Sequence, residues 1–397
     1  MHHPQIALQK NLCFFFVIVL HALLPFTNLT SFCTVYTDMQ AGNGDTIARI
    51  LHFSLFPSLI FASGFLLEKA ALSASGFDEI VKKRIKRLVV PWFMTMLFWL
   101  VPLYVIFGLP ACNRLADASF WATLLAGLQG RFTGHLGFLL SLFWASMFWL
   151  IVGPLLKRTP LPAFLNKSTP NLQPDFAKCK TWFDQSRPNW INPEWFTLRG
   201  AIPSISTRDR MGLGLAFVAA VTLQVACSHM TWYGFQQAAG SLIFLYCGML
   251  AYRHYEALNA FLLLNFGKLF AALALPFLIL APVGHVHFLF AWMLGVLGAL
   301  LTYMISLLLV RFGLDRQKDA NFLGYVERNL LRLYLFHMPV VLVISKGLTA
   351  LDAFSPWPCV MVASILTLAV TAGLVQCSHW AERVILPQIV AGMRPKN

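Results

Sequence analysis

Apolar residues occur in long runs along most of this 397-residue chain, and short polar segments separate the runs. A membrane-spanning helix needs about 20 largely apolar residues, and ten runs approach this length. They lie at residues 11–29, 49–67, 88–108, 136–156, 211–228, 236–252, 258–281, 286–310, 328–346 and 356–378. The pattern predicts an all-α integral membrane protein with about ten transmembrane helices.

Two segments depart from this regular pattern. The stretch 119–130 is apolar but only about three turns long, so it favours an interfacial or re-entrant piece over an eleventh span. Residues 157–210 form the longest polar stretch, with nine Lys or Arg residues and seven prolines. We predict a long basic loop there that either lies partly on anionic lipid or docks an acidic ligand. No repeat or second domain is visible, so we treat 1–397 as a single membrane domain.

The distribution of basic residues predicts how the helices are oriented. With the N-terminus inside, 26 of the 30 Lys and Arg residues fall in inner segments and four fall outside. Because Lys and Arg are enriched on the cytoplasmic side of membrane proteins, both termini are predicted to be cytoplasmic. Lys10 and the apolar run after it resemble a signal peptide, but no A-x-A-like site follows, which favours a retained first helix. The net charge of +14 is then mostly a consequence of topology.

Composition excludes several classes of protein. Apolar residues make up 58% of the chain and charged residues 12%, against about 45–50% and 25% in soluble domains. This excludes a soluble domain, a disordered protein and a nucleic-acid binder. All sixteen acidic residues fall in predicted loops or at helix ends, whereas proton-coupled transporters usually carry carboxylates inside the membrane. The eight cysteines show no CxxC or zinc spacing, so no metal site is predicted.

Lys10 and His21 form the first candidate site. They are eleven residues apart in the first predicted helix, so they share a face and lie about 16 Å apart along its axis. An imidazole near the middle of the membrane titrates close to neutral pH and is a plausible general base. The alternative is a buried histidine that hydrogen-bonds a backbone carbonyl, because polar groups are costly inside a membrane.

A run of mostly basic residues, Lys82–Arg87, comes directly before the third apolar run. Within it, Arg84 and Arg87 are three residues apart, so both side chains can face one ligand. Since Arg binds phosphate groups bidentately, the pair is a candidate phosphate clamp. The alternative is a basic anchor at the inner face of the membrane, which is very common.

Three further segments carry residues that can line a site. The second predicted helix contains His52, and Ser63 and Gly64 follow it. Glycine in a membrane helix can free backbone groups that line a cavity, but small residues serve equally for helix packing. His135 lies at the outer end of the fourth apolar run, and His337 lies in the ninth.

Taken in order, these segments resemble the membrane-bound acyltransferase 3 family. The resemblance covers nearly the whole chain and rests on five short pieces, at 17–23, 61–66, 83–92, 135–139 and 333–339. The family's pattern of a basic residue, ten intervening residues and a histidine falls on Lys10 and His21. Its RxxR pattern falls on Arg84 and Arg87. Lys10 stands where the family usually has Arg, and Gly137 stands where it often has Trp.

The resemblance implies an enzyme that transfers an acyl group, most readily acetyl or else succinyl, from cytoplasmic acyl-CoA. The acceptor would be a hydroxyl of a cell-envelope polysaccharide or its lipid-linked precursor. Acyl-CoA is then a co-substrate rather than a bound cofactor, and the chain lies in a bacterial inner membrane among its lipids. His21 is the implied catalytic base. The residues implied to hold the CoA end are Lys10, Arg84 and Arg87, and those implied to line the site are His52, Ser63, Gly64, His135 and His337.

Two other functions remain open at this stage. A transporter or flippase for an envelope glycan or lipid intermediate would use the same basic inner mouth. A structural membrane subunit would recruit glycan-assembly enzymes through the 157–210 loop. His21 separates these functions, because catalysis requires its imidazole, whereas transport or scaffolding tolerates an Asn or Gln of similar size. The acceptor, the acyl group and the oligomeric state cannot be derived from the sequence.

Overall fold

The computed structural model describes eleven parts of the chain, and these contain helices and no strands. The described residues are 3–23, 43–73, 76–102, 106, 120–128, 136–158, 205–226, 235–282, 288–314, 322–350 and 356–392. His135 and most of the predicted basic loop 157–210 lie outside them. The predicted all-α class is therefore confirmed for the part of the chain that is described.

The α-helices in these parts are numbered here in chain order. They are α1 (Pro4–Leu23), α2 (Asn43–Ser73), α3 (Phe77–Arg84), α4 (Val90–Thr95), α5 (Phe120–Leu128), α6 (Gly137–Arg158), α7 (Thr207–Ala226), α8 (Phe235–Arg253), α9 (Tyr255–Leu264), α10 (Phe266–Leu280), α11 (Phe288–Arg311), α12 (Phe322–Ala350) and α13 (Pro356–Gly392). Two π-helical turns, Ile85–Val89 and Met96–Leu100, come directly before and after α4. Residues 77–100 therefore form one continuous helical path.

Six of the described helices are long and apolar enough to cross a membrane, namely α1, α2, α6, α7, α11 and α13. Helices α9 and α10 meet at an 86° bend and make a seventh span if they are counted together. The other three predicted runs fall on helical segments as well: the path 77–100, α8 and α12. The count of ten spans and the cytoplasmic termini remain predictions. The nine-residue α5 is too short to span, as expected for the stretch 119–130.

Helix α1 lies inside the helical bundle and is the most buried of the six candidate spans. It packs against α2, α11, α12 and α13. Two of its buried polar side chains have partners on these neighbours. Gln9 Nε2 donates to Thr302 Oγ1 at 3.5 Å, and Asn11 Nδ2 donates to the Leu323 carbonyl oxygen at 3.3 Å. Because lipid cannot satisfy polar groups, these hydrogen bonds favour placing α1 among other helices.

Helices α2 and α8 cross with their backbones in contact. A Cβ atom added at Gly64 would lie 1.9 Å from the carbonyl oxygen of Leu245, and one added at Gly248 would lie 1.9 Å from that of Phe61. Only residues without a side chain permit this approach, as in other small-residue contacts between membrane helices. Gly64 thus has the packing role that the sequence left open, and its lining of a site stays a prediction.

A buried cluster of ionised side chains joins α2, α7 and α8. Arg253 Nε donates to Glu68 Oε1 at 2.8 Å, and its Nη1 donates to Asp209 Oδ1 at 2.6 Å. His254 Nε2 lies 3.2 Å from Asp209 Oδ2, and the Ser206 hydroxyl donates to the same oxygen at 2.7 Å. The sequence placed these two carboxylates in a loop or at a helix end. They lie near the ends of their helices, but both are buried and paired.

We expect Gly64→Ala to weaken the contact between α2 and α8 by about 1–3 kcal/mol, the usual cost of overpacking. The measurement is thermal unfolding of the detergent-solubilised protein. Gly373→Ala in α13 is the matched control, because a Cβ atom there meets nothing within 4 Å. This control should unfold at or above the wild-type temperature. Equal stability of Gly64→Ala and wild type would contradict the close crossing.

Candidate active site

Helices α1 and α12 lie side by side and run in the same direction. Asn11, in the first half of α1, donates to the carbonyl oxygen of Leu323 in the first turn of α12. Near the other end of α1, Ala22 and Leu23 pack in one apolar cluster with Val341. Contacts along the two helices therefore follow the same order. Residues later in α1 lie beside residues later in α12.

The structure brings two of the predicted histidines together in the core. The ring centroids of His21 and His337 are 5.1 Å apart, and their planes are tilted by 33°. Both residues are fully buried. The rings of Phe14 and Tyr334 contact His337 with centroid separations of 5.8 Å and 5.4 Å. Two imidazoles from distant parts of the sequence thus share one pocket of aromatic rings.

A backbone carbonyl fixes the orientation of His337. Its Nδ1 lies 2.6 Å from the carbonyl oxygen of Tyr334, one turn earlier in α12. Since a carbonyl oxygen only accepts hydrogen bonds, Nδ1 carries the proton, and Nε2 of the neutral ring is an acceptor. Pro339, two residues further on, lacks the N–H that would continue the helical ladder, so the helix is locally weakened at this point. The sequence His-Met-Pro therefore combines a buried imidazole with an irregular turn.

The predicted basic residues meet at the opposite end of α1. Lys10 lies within electrostatic range of Arg87 and of Glu327 from α12, and Arg84 lies within that of Arg87. Burial lowers the pKa of the Arg84 guanidinium from 12.5 to about 10, and the charge of Arg87 acts in the same direction. We call Lys10, Arg84 and Arg87 the basic cluster. Its like charges repel one another, so a bound anion would stabilise them.

A row of aromatic rings leads from the histidine pair towards α2. The ring of Tyr334 is 5.9 Å from that of Phe138, which is 6.1 Å from Phe56. Phe56 is in turn 5.1 Å from the half-buried ring of His52. His52 thus connects to His337 through three intervening rings, although the two histidines do not touch. We call these five residues the aromatic row.

The other predicted lining residues are not placed at the histidine pair. Ser63 is half-buried in α2, and its neighbour Gly64 faces α8. The α2 residues on either side of them, Phe61 and Phe65, pack in one apolar cluster with Ile6, near the start of α1 and far along it from His21. His135 lies outside the described residues, so its predicted role is untested.

Sequence reasoning missed a polar row between α1, α2 and α11. The Ser58 and Thr302 hydroxyls are hydrogen-bonded to each other, and Thr302 also accepts from Gln9. The thiol of Cys13 hydrogen-bonds to Ser58. A sequence signal was present, because Gln9 and Cys13 are four residues apart on one face of an apolar helix. Glu327 was missed as well, although it precedes His337 by nearly the spacing that separates Lys10 from His21.

Comparison with protein families decides what kind of protein carries this arrangement. The model of the acyltransferase 3 family, which is described as an acyltransferase domain, matches residues 8–375. The chain belongs to the acyltransferase 3 family. A search of the curated proteins and a search of the solved structures each found no significant match. The expected resemblance is confirmed, and this acyltransferase is a multi-pass membrane protein.

The matched range of the acyltransferase contains every residue of the histidine pair and the basic cluster. Both groups therefore lie inside the domain that defines the family. Family membership also favours the enzyme over the transporter and the structural subunit that the sequence left open. Family membership does not by itself identify the donor, the acceptor or the catalytic base. Proposals for these are argued from the geometry of the histidine pair and the basic cluster.

Proposed function

We propose that this acyltransferase moves an acyl group from acyl-CoA to a hydroxyl of a cell-envelope polysaccharide or its lipid-linked precursor. Acetyl is the group we favour, and succinyl is the alternative. His21 acts as the general base. The observation that carries the proposal is the arrangement along α1, where the basic cluster lies at one end and a fully buried imidazole lies about 16 Å further along.

The shape of acyl-CoA suits this arrangement. Its phosphates are anionic and lie at one end of the molecule, and its thioester lies at the other end of an uncharged pantetheine arm. Arg84 and Arg87 offer the donors that bind phosphate best, and Lys10 adds a point charge beside them. The arm would then follow α1 from the charged end of the bundle into its apolar interior. The thioester carbon would lie near His21.

The reaction follows from this position of the thioester. His21 takes the proton of the acceptor hydroxyl, and the oxygen attacks the carbonyl carbon of the thioester. A tetrahedral intermediate forms and then collapses as the carbon–sulfur bond breaks. The CoA thiolate leaves and takes up the proton that His21 holds, so the imidazole returns to its neutral form. An ester of the acceptor and free CoA are the products.

The acceptor is proposed from the family resemblance and from one feature of the core. Aromatic rings pack against the apolar faces of sugar rings, and the aromatic row extends from the histidine pair to His52 in α2. An acceptor that arrived along this row would reach His21 from the side opposite to the basic cluster. Donor and acceptor would then meet without competing for one entrance.

We expect His21→Gln to lose at least about 100-fold in acyl transfer, the lower range for removal of a general base. The measurement gives membranes radiolabelled acetyl-CoA together with envelope glycan and counts the label in the glycan. Succinyl-CoA is the second donor. His379→Gln is the matched control, since His379 lies in α13 beside Asn329 and Arg332 and outside the site. It should label the glycan like wild type.

Equal labelling by wild type and His21→Gln, at equal protein levels, would show that His21 is a packing residue. Failure of wild type to label glycan from either donor would contradict the proposed donor and acceptor. The transporter and flippase would then be the next functions to test.

Arg87→Gln should raise the KM for acyl-CoA about tenfold or more and leave kcat nearly unchanged, because phosphate binding is the same in the ground state and the transition state. Steady-state kinetics at two salt concentrations measure this effect. Lys83→Gln is the control, since Lys83 is exposed and paired with Glu79. A fall in kcat without a change in KM would place Arg87 in the chemical step and contradict its role as a phosphate ligand.

A further inference from the structure

We propose that His337 is the positioning residue for His21 during acyl transfer. The inference rests on the proposed function, because it assigns a role to the ring beside the proposed base. Its basis is the contact between two fully buried imidazoles whose ring centroids are 5.1 Å apart. His337 neither gives up nor gains a proton in this role. It acts on the reaction through His21 alone.

His337 is held in one orientation. The hydrogen bond from its Nδ1 to the Tyr334 carbonyl fixes the ring and its tautomer. The rings of Phe14 and Tyr334 contact it on other sides, at 5.8 Å and 5.4 Å between centroids. A fully buried ring with these contacts has little freedom to rotate. The ring of His21 therefore packs against a side chain that is held in place.

A positive charge develops on His21 during the proposed reaction. When this imidazole takes a proton from the acceptor hydroxyl, a cation forms in the apolar core, where an isolated charge is costly. The adjacent neutral ring of His337 supplies an aromatic face, which attracts a cation. This ring contact favours the protonated form of His21.

This stabilisation is specific to the reaction. It arises only when His21 is protonated, and therefore in the transition state and the intermediate rather than in the resting enzyme. Interactions of that kind raise kcat and leave substrate binding unchanged. A residue that only packs the core would instead change the amount of folded protein. The two roles can thus be told apart by kinetics.

The test uses the full-length protein with His337→Asn. The Asn amide can keep the hydrogen bond to the Tyr334 carbonyl, but it removes the ring beside His21. We expect kcat for acetyl transfer to fall about 10- to 100-fold per folded protein, the range typical of residues that support a catalytic group. The KM for acetyl-CoA should not change. His379→Asn in α13 is the control and should keep the wild-type kcat.

A double variant tests whether His337 acts through His21. His21→Gln/His337→Asn should be no slower than His21→Gln alone, because the positioning residue has nothing left to position. A further loss of rate in the double variant would overturn the inference. If His337→Asn does not fold, His337→Leu keeps a buried apolar side chain without an aromatic face, and it should also lower kcat with KM unchanged.

The outcomes separate this inference from the proposed function. If His21→Gln is inactive while a folded His337 variant has the wild-type kcat, only the inference about His337 fails. If His21→Gln remains fully active, His21 is not the base and the role of His337 fails with it; if wild type itself labels no glycan, the proposed function fails. A loss of kcat in the His337 variants that is absent in His379→Asn supports the inference.

Discussion

The fold depends on burying α1, an apolar helix that carries several polar side chains, inside the helical bundle. Helix α1 carries Gln9, Asn11, Lys10 and His21 within a single candidate span. Lipid offers no hydrogen bonds, so these side chains require partners from other helices. Helices α2, α11, α12 and α13 surround α1 and supply several of those partners. The same requirement gives α1 its central position and gathers the residues of the candidate site around it.

The two ends of α1 provide two different chemical environments. At one end lies the basic cluster, and Glu327 is near its Lys10. Charge is tolerated there because the Arg87 side chain is exposed. Further along the helix, aromatic rings enclose His21 and His337, and no charged group is described among their ring contacts. The phosphates and the thioester of the proposed acyl-CoA donor would need these two environments in this order. In that proposal, the length of α1 between Lys10 and His21 sets the distance that the donor bridges.

Much of this arrangement could be predicted from single segments of the sequence. Apolar runs predicted the helical class, and the spacing of Lys10 and His21 predicted an imidazole and a cation on one face of α1. The family resemblance was confirmed, and the role that it implies for His337 stays a prediction. By contrast, the sequence could not show that His337 touches His21, because that contact depends on how α12 lies beside α1. The sequence also did not reveal that Glu68 and Asp209 are buried. A carboxylate near a helix end is expected to be exposed, and only the structure shows that Arg253 pairs with both carboxylates.

The same limits apply to residues with more than one possible role. Gly64 fits both a cavity wall and a helix crossing, and only the backbone of α8 at Leu245 shows that it packs against a helix. His52 belongs to the second helix by its sequence, but its link to the site runs through Phe56 and Phe138, residues that no motif singles out. Packing between helices, rather than any local pattern, decides these cases.

The central claim is that the acyl donor lies along α1, with its phosphates at the basic cluster and its reacting carbon at His21. The most direct measurement is a cryo-EM structure of the full-length protein with a thioether analogue of acetyl-CoA, which cannot transfer its acyl group. The account predicts that the phosphates contact Arg84 and Arg87 and that the acyl end lies beside His21 and His337. An analogue bound with its acyl end away from the histidine pair would contradict it.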